Sequence, residues 1–284
     1  MNKNKFVYIS DNFLYETVGG GELNDDELLL LLEQRGALIS KMRSSTVTVD
    51  ILKKERESNF IVSNFVNLSE SSKEYLVASC SYIIYEHDHK YLRNRNPAFY
   101  KDFIAPKSEI INVPFYKNAK AVFCQSSFHR NLVEKNIDID NIVVVSGNLW
   151  SENSLAIMRI LNRKGKRDCY SVLNSRILHK NTRNTMFYCE KKQYDFQLIQ
   201  SSNYEEFLTF LSNNDKFIFL PKTPETLSRV VVEARMMGLK VITNKNVGAI
   251  YEPWFNLKGE ELINIMIDKR KTIPDKVMRV FYEE

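Results

Sequence analysis

The sequence predicts an α/β protein: two doubly wound, parallel-sheet domains facing each other across a cleft, followed by a helical tail. Three observations carry this. Short apolar runs alternate with helix-like segments over residues 6–145, the alternation breaks over 146–168, and it resumes over 170–243. Strands separated by helices require crossover connections, which produce parallel sheets whose ligands lie at the strand C-termini. A chain of 284 residues, 44% hydrophobic and 26% charged, is ordinary globular material for one large domain or two modest ones. It is long enough to bury a core without disulfides or structural metal.

The elements follow in order. Residues 6–10 (Phe6-Val7-Tyr8-Ile9-Ser10) read as a buried strand, followed by a glycine loop and a helix over 24–34. The early Asp25, Asp26 and Glu27 suit a helix N-terminus, and Gly36 sits where that helix should stop. Further strands are expected at 46–50, 60–64, 81–86, 121–125 and 142–145, with helices at 72–78 and 128–135. Ser126-Ser127-Phe128-His129 has the look of strand-to-helix capping, with no acid in view to make a hydrolase triad. The second series places strands at 170–173, 196–199, 217–220 and 241–243, and helices near 181–190, 204–211 and 227–237. Between the two series lie Gly147, a helical stretch through Leu161 and the basic run Arg163-Lys164-Gly165-Lys166-Arg167, whose plain reading is a solvated helix end. The expected division is a first domain over 1–147, a linker over 148–167, a second domain over 168–258 and a helical tail over 259–284 packing back on the first domain.

Composition excludes several classes. Nine glycines and seven prolines rule out collagen-like or loop-dominated architectures. No apolar run approaches the roughly 20 residues that cross a bilayer, and residues 1–10 lack the apolar stretch of a secretory signal. Cys80, Cys124, Cys169 and Cys189 form no CxxC pair and read as reduced thiols, so a cytoplasmic protein is expected. The net charge of +5 is compatible with a phosphorylated substrate, DNA or an anionic surface, and decides nothing alone. Phe115, Tyr116 and Trp150 read as core rather than as stacking platforms.

Three segments carry chemistry. Val18-Gly19-Gly20-Gly21-Glu22 follows the first strand and precedes its helix; glycines there let a ligand approach the backbone, and a helix N-terminus offers N–H groups to an anion. It is neither GxGxxG nor a P-loop, and a tight turn is the plain alternative. In residues 221–248, a strand runs into Pro221-Lys222-Thr223-Pro224-Glu225, a helix begins near Thr226 and carries Glu233, Gly238 ends it, and a short strand leads to Val247-Gly248. That helix N-terminus can hold a diphosphate while Glu225 and Glu233 accept hydrogen bonds from sugar hydroxyls; two solvated glutamates are the alternative. Third, Tyr85-Glu86-His87-Asp88-His89-Lys90 ends a first-domain strand. His-x-His could start a metal site, but no distant ligand completes it, so no metal is expected. Lys90, Arg93 and Arg95, interleaved with Tyr91, Phe99 and Tyr100, could grip a phosphorylated acceptor or a nucleic-acid backbone, or form a solvated loop.

The run Glu225-Thr226-Leu227-Ser228-Arg229-Val230-Val231-Val232-Glu233-Ala234, then Gly238, Val241-Ile242-Thr243 and Val247-Gly248, resembles the paired-glutamate signature of GT-B glycosyltransferases, especially family 4. Gly19-Gly20-Gly21-Glu22 resembles the Gly-Gly-x-Glu of that family's first domain, and both motifs occur in the right order. The resemblance implies two Rossmann-like domains and transfer of a sugar from a nucleotide-sugar donor, a UDP-sugar first, with retention of configuration and without a metal or other cofactor. It implies that Glu233 holds the ribose hydroxyls and Glu225 the donor sugar, with Ser228, Arg229 and Val230 near the sugar and phosphates and Gly19, Gly20 and Gly21 on the donor side. Arg176 and Lys180 resemble the pair that neutralises the diphosphate, at shorter spacing and with Ser175 in place of the family's Gly. Ser228-Arg229 likewise replaces its Gly-Leu. His87 is the closest match to a histidine that in the resembling family reaches the donor sugar or the acceptor side; with Asp88 and Glu225 it makes the expected catalytic set, and His89, Lys90, Arg93 and Arg95 are the expected acceptor side.

The segments 86–92, Arg95-Asn96-Pro97 and Gly147-Asn148-Leu149-Trp150-Ser151 look like stretches of phage-encoded glycosyltransferases. That makes a hydroxymethylated base in duplex DNA, inside a host cytoplasm, the leading acceptor. A surface polysaccharide or lipid-linked glycan is the competing one, and a decayed sugar-nucleotide-binding protein the competing class.

Overall fold

The computed structural model describes residues 4–282. Residues 1–3, at the expected chain start, and 283–284, at the end of the expected tail, lie outside the described residues. The chain forms two compact units, residues 1–149 with 269–284, and residues 150–268.

The first unit contains β1 (Lys5–Ser10), α1 (Gly20–Glu33), β2 (Leu38–Arg43), α2 (Val49–Lys54), β3 (Asn59–Val62), α3 (Glu70–Ser79), β4 (Ser81–Tyr85), α4 (Val113–Lys117), β5 (Val122–Cys124), α5 (Ser127–Glu134) and β6 (Ile142–Val144). Its six strands form one sheet in the order β2-β1-β3-β4-β5-β6, parallel throughout. A strand covered on both faces is apolar along its whole length, and Phe6, Val7, Tyr8 and Ile9 are all fully buried. Val7 and Ile9 join a core on one face with Phe60, Val62 and Leu76; Phe6 and Tyr8 join Leu28, Leu32, Ile61 and Ile83 on the other.

Four expectations are corrected. Residues 46–50 are not a strand: the strand is β2, at the sheet edge, with only partly covered side chains. Thr48 instead starts α2, its hydroxyl accepting from the Ile51 N–H at 3.4 Å. Helix α1 begins at Gly20, four residues before the expected start, so two of the three glycines belong to its first turn and Gly19 is its N-cap. The helix expected to begin near Thr226 begins at Arg229. The helical stretch expected through Leu161 is α6 (Glu152–Arg163), but it is not a linker: its Leu155, Met158 and Leu161, recurring at helical spacing, pack into the second unit's core. Gly36 ends the first helical segment with φ +86, and Ser126 caps α5 through the His129 N–H at 3.0 Å.

The second unit continues from α6 with β7 (Arg167–Leu173), α7 (Thr182–Lys191), β8 (Phe196–Ile199), α8 (Tyr204–Ser212), β9 (Asn214–Phe219), α9 (Arg229–Met236) and β10 (Lys240–Thr243). Its parallel sheet runs β10-β9-β7-β8. Phe217 and Phe219 face a core shared with α6, α8 and α9, while Ile218 turns to Val172 and Cys189 on the opposite face. The tail is helix α10 (Glu260–Tyr282), continuous through Pro274. Its Leu262, Ile263 and Met266 belong to the second unit's core, and its Ile273 and Val277 to the first unit's. In the first unit, Arg270 pairs with Glu27, and Arg35 Nε donates to Asp275 at 2.8 Å. No helix among the described residues is long and apolar enough to cross a membrane.

In each sheet the strand order reverses once, between β1 and β3 and between β7 and β9. Connections leaving the C-terminal ends of two such strands diverge to opposite faces and open a crevice there. The predicted glycine, Lys180, Glu225 and Ser228 segments all lie in these connections or at the helices they lead into.

Candidate functional site

In the second unit the connection after β9 is stitched to the segment after β10. The Glu225 N–H donates to the Asn246 carbonyl at 2.7 Å, the Gly248 N–H returns to the Glu225 carbonyl at 2.9 Å, and Ala249 N–H donates to Leu227 O at 3.0 Å. Asn244 and Asn246 side chains both donate to the Pro221 carbonyl. This clamp is what Val247-Gly248 contributes. It fixes the Glu225 backbone in a one-residue parallel bridge with Val247, so that its carboxylate receives Lys180 Nζ on both oxygens at 2.9 Å. Lys180 and Glu225, predicted as donor-site residues, are thus brought together as a half-buried ion pair.

Glu233 lies inside α9 and is 2% exposed. One of its oxygens, Oε1, accepts from Trp150 Nε1 at 2.9 Å and from the Tyr204 hydroxyl at 2.6 Å, and Arg229 Nε stands 3.5 Å away. Oε2 takes none of these contacts. Burial and the neighbouring carboxylate push the Tyr204 phenol far up, so it remains a donor. The Arg229 guanidinium lies 4.4 Å over the Trp150 ring, a cation–π contact. Trp150 is core, as expected from sequence, and it also orients the helix carboxylate. Val230 packs partly buried on the same core. Ser228, the N-cap of α9, adopts φ +75 and is 7% exposed. Arg176 is not brought to the Lys180–Glu225 pair: it is exposed on a groove of about 570 Å³ shared with Arg183, Phe187 and Lys222.

In the first unit the glycines meet His87. A Cβ placed on Gly21 would stand 3.7 Å from the imidazole, so the first turn of α1 runs alongside that ring. His87 Nε2 is 2.5 Å from Asp25 Oδ1, and its Nδ1 is 2.6 Å from the Gln125 side-chain amide. Ser63 donates to the other Asp25 oxygen at 2.6 Å. The ring is held at both nitrogens by side chains from two different segments, and Ser63 braces the Asp25 carboxylate from a third. Burial alone lowers the His87 pKa, but the Asp25 carboxylate overcomes it and the net shift is upward; Asp25 correspondingly ends below its usual range. Glu22, closing the glycine motif, is raised by burial. Sequence reasoning missed Asp25, Ser63 and Gln125 as partners of His87. It read Asp25 as a helix-terminus acid, whereas the true start at Gly20 carries it into the second turn, facing the strand ends.

Of the remaining acceptor-side and catalytic candidates, Asp88, His89 and Lys90 are paired or buried within the first unit. Lys90 is 2% exposed and donates to Glu86 at 2.5 Å and Asp88 at 2.7 Å, so its charge is spent internally. The Tyr116 hydroxyl also donates to Glu86. His89 is 3% exposed against Tyr91 and His129. Asp88, against the pull of burial, is held far below the ordinary carboxylate range by Lys90, and Arg95 Nη1 stands 3.4 Å from it. A carboxylate so paired is no proton donor at neutral pH. His129 Nδ1 accepts the Gln125 backbone N–H and its Nε2 lies 3.0 Å from the Asp88 carbonyl, consistent with a neutral ring whose pKa burial lowers well below normal. Arg93 and Arg95 are exposed. No group of three or more His, Cys, Asp or Glu side chains arranged to hold a metal ion occurs among the described residues.

No protein-family model matches the chain, and no curated protein matches it in sequence. Solved structures do match its fold. The Anabaena protein Alr3699/HepE, in complex with UDP and glucose, is 13% identical with a TM-score of 0.55, over 97% of this chain and 91% of that one. An alpha-glucosyltransferase in complex with UDP and a 13-mer DNA containing an HMU base is 9% identical with a TM-score of 0.52, over 98% and 95%. The UDP-GlcNAc 2-epimerase of Methanocaldococcus jannaschii, in complex with UDP-GlcNAc and UDP, is 12% identical with a TM-score of 0.53, over 99% of both chains. The six-stranded and four-stranded parallel α/β units are the two Rossmann-like domains of the GT-B fold.

Proposed function

We propose that the chain is a glycosyltransferase that takes a nucleotide-sugar donor, a UDP-sugar first, on its second unit. The observation that carries this is the placement of the paired glutamates. Glu225 is clamped at a strand end beside Lys180, and Glu233 is aligned within α9 by Trp150 and Tyr204 with Arg229 close by. Carboxylates presented in this way accept hydrogen bonds from sugar and ribose hydroxyls. The diphosphate is received by Lys180 and by the first-turn N–H groups of α9. As the anomeric C–O bond breaks, its electron pair moves onto the leaving phosphate, where fixed positive charge stabilises it without a metal. With retention, the acceptor hydroxyl attacks from the face that the phosphate leaves and passes its proton to that phosphate.

For the acceptor, a hydroxymethylated base in DNA is the leading proposal. It is supported by the fold neighbour bound to UDP and HMU-containing DNA, and by exposed Arg93 and Arg95. A polysaccharide or lipid-linked glycan is the alternative. Incubation with radiolabelled UDP-glucose and duplex DNA carrying hydroxymethyluracil should move label into the DNA, with the anomeric configuration read by NMR. Label entering only a glycan acceptor overturns the DNA assignment. Donor binding without transfer or hydrolysis overturns the enzyme reading, and rearrangement of the donor sugar in place of transfer points to the isomerase chemistry that this fold also hosts.

A further inference from the structure

Ser228 departs from the ordinary behaviour of a serine at a helix start in three ways. A serine N-cap normally has extended backbone and accepts an N–H bond from the first turn; here the backbone is left-handed, φ +75 and ψ 85, and the side chain makes no cap. That conformation suits glycine and strains a residue with a Cβ. The hydroxyl oxygen is buried and has no hydrogen-bond partner among the described residues, with the residue 7% exposed. A buried polar atom without a partner destabilises the fold. Both the backbone and the side chain would therefore be better served by glycine.

A residue that weakens its surroundings twice at one position marks a functional site when its neighbours have matching chemistry. Here they do. Ser228 opens the eight-residue helix α9, next in sequence is Arg229, and Glu233 follows one turn on. We infer that the Ser228 hydroxyl is itself a ligand group, donating a hydrogen bond to a phosphate oxygen of a nucleoside diphosphate at the start of α9. This rests on the proposed donor site and adds a side-chain contact to its backbone N–H groups. The free hydroxyl completes its hydrogen bonding only when the anion is present.

The test separates strain from binding. With UDP as probe in calorimetric titration, Ser228→Ala keeps the strained backbone and loses the hydroxyl. It should bind UDP about tenfold more weakly, as for loss of a hydrogen bond to a charged group. Ser228→Gly should lose the same affinity while melting higher than wild type by about 2–4 °C, because the strain and the orphan hydroxyl are both removed. A merely structural serine would not give weaker binding together with a more stable fold. Wild-type binding with undiminished affinity in both variants overturns the Ser228 assignment alone. Failure of the wild-type protein to bind UDP or ADP overturns it together with the donor reading beneath it.

Discussion

Replacing Asp25 with asparagine tests whether His87 carries its proton in the folded protein. The two side chains are 7% and 8% exposed and their atoms meet at 2.5 Å. Burial opposes both charges, and the mutual attraction wins: His87 is raised and Asp25 lowered, with Glu86 reinforcing the imidazolium and Lys90 opposing it. A raised histidine adds stability that is complete below the unfolded value of about 6.5 and is lost as pH rises through the folded value. A lowered aspartate adds stability present above about 3.9 and lost as pH falls through its folded value. The pair therefore stabilises most on the acid side of neutrality. Removing one member of a buried pair costs about 3–5 kcal/mol if the other stays charged. His87 can release its proton instead, so at alkaline pH only a weakened hydrogen bond is lost, about 1 kcal/mol. Asp25→Asn should thus lose about 3 kcal/mol or more at pH 5.5 and about 1 kcal/mol at pH 9 in urea unfolding. The His87 ring proton followed by NMR should titrate below its ordinary range in the variant. Equal losses at both pH values would refute an ionised pair.

Other substitutions probe the rest of the structure. Glu233→Gln keeps an acceptor for Trp150 and Tyr204, so the fold should survive while UDP affinity falls about 10- to 100-fold in titration calorimetry, the range for hydrogen bonds to a charged group. His129, buried neutral with a lowered pKa, makes the protein less stable as pH falls below about 6.5. His129→Asn should flatten that slope in unfolding curves between pH 5 and 7, and an unchanged slope would assign the acid sensitivity elsewhere. Met158→Ala should cost about 2–5 kcal/mol in denaturant unfolding, because α6 is core rather than linker. A loss near zero would return residues 152–163 to the surface.

The parts of the fold legible in the sequence were those whose pattern is set by local burial. Phe6-Val7-Tyr8-Ile9 is apolar throughout because β1 is central and covered on both faces. Residues 38–43 escaped notice because β2 is an edge strand, so its Ser40, Lys41 and Arg43 dilute the apolar signal. The helix starts were misplaced for one reason at both candidate sites. Glycine in α1 and a left-handed serine before α9 are poor helix signals, yet the chain needs unusual backbone where a helix leaves a strand end. The misplaced start of α1 hid Asp25: counted from Gly20 it falls in the second turn, beside the histidine. Lys90 was misread because its burial is set from a distance, by Tyr116 on Glu86 and by Asn112 donating to the Lys90 carbonyl at 2.8 Å. No periodicity within residues 85–90 reports that cover.

Glu225 at a strand end and Glu233 within the helix that follows were legible as residue types, but the difference between them was not. A carboxylate facing one cation on both oxygens, as Glu225 faces Lys180, has its charge largely answered inside the protein. Glu233 is answered by an indole N–H, a phenol and, at the longer distance of 3.5 Å, the Arg229 guanidinium, all on Oε1. An ionised carboxylate has about four acceptor positions, so this arrangement fixes the direction of Glu233 while leaving Oε2 to accept. On the proposed donor reading, that second oxygen is the one that would accept a ribose hydroxyl. The aromatic partner that makes it so is Trp150, 83 residues earlier in the chain and indistinguishable in sequence from any other core tryptophan. Its removal as a donor, by Trp150→Phe, should therefore weaken UDP binding in titration calorimetry on the proposed donor reading, and unchanged affinity would refute its part in orienting Glu233.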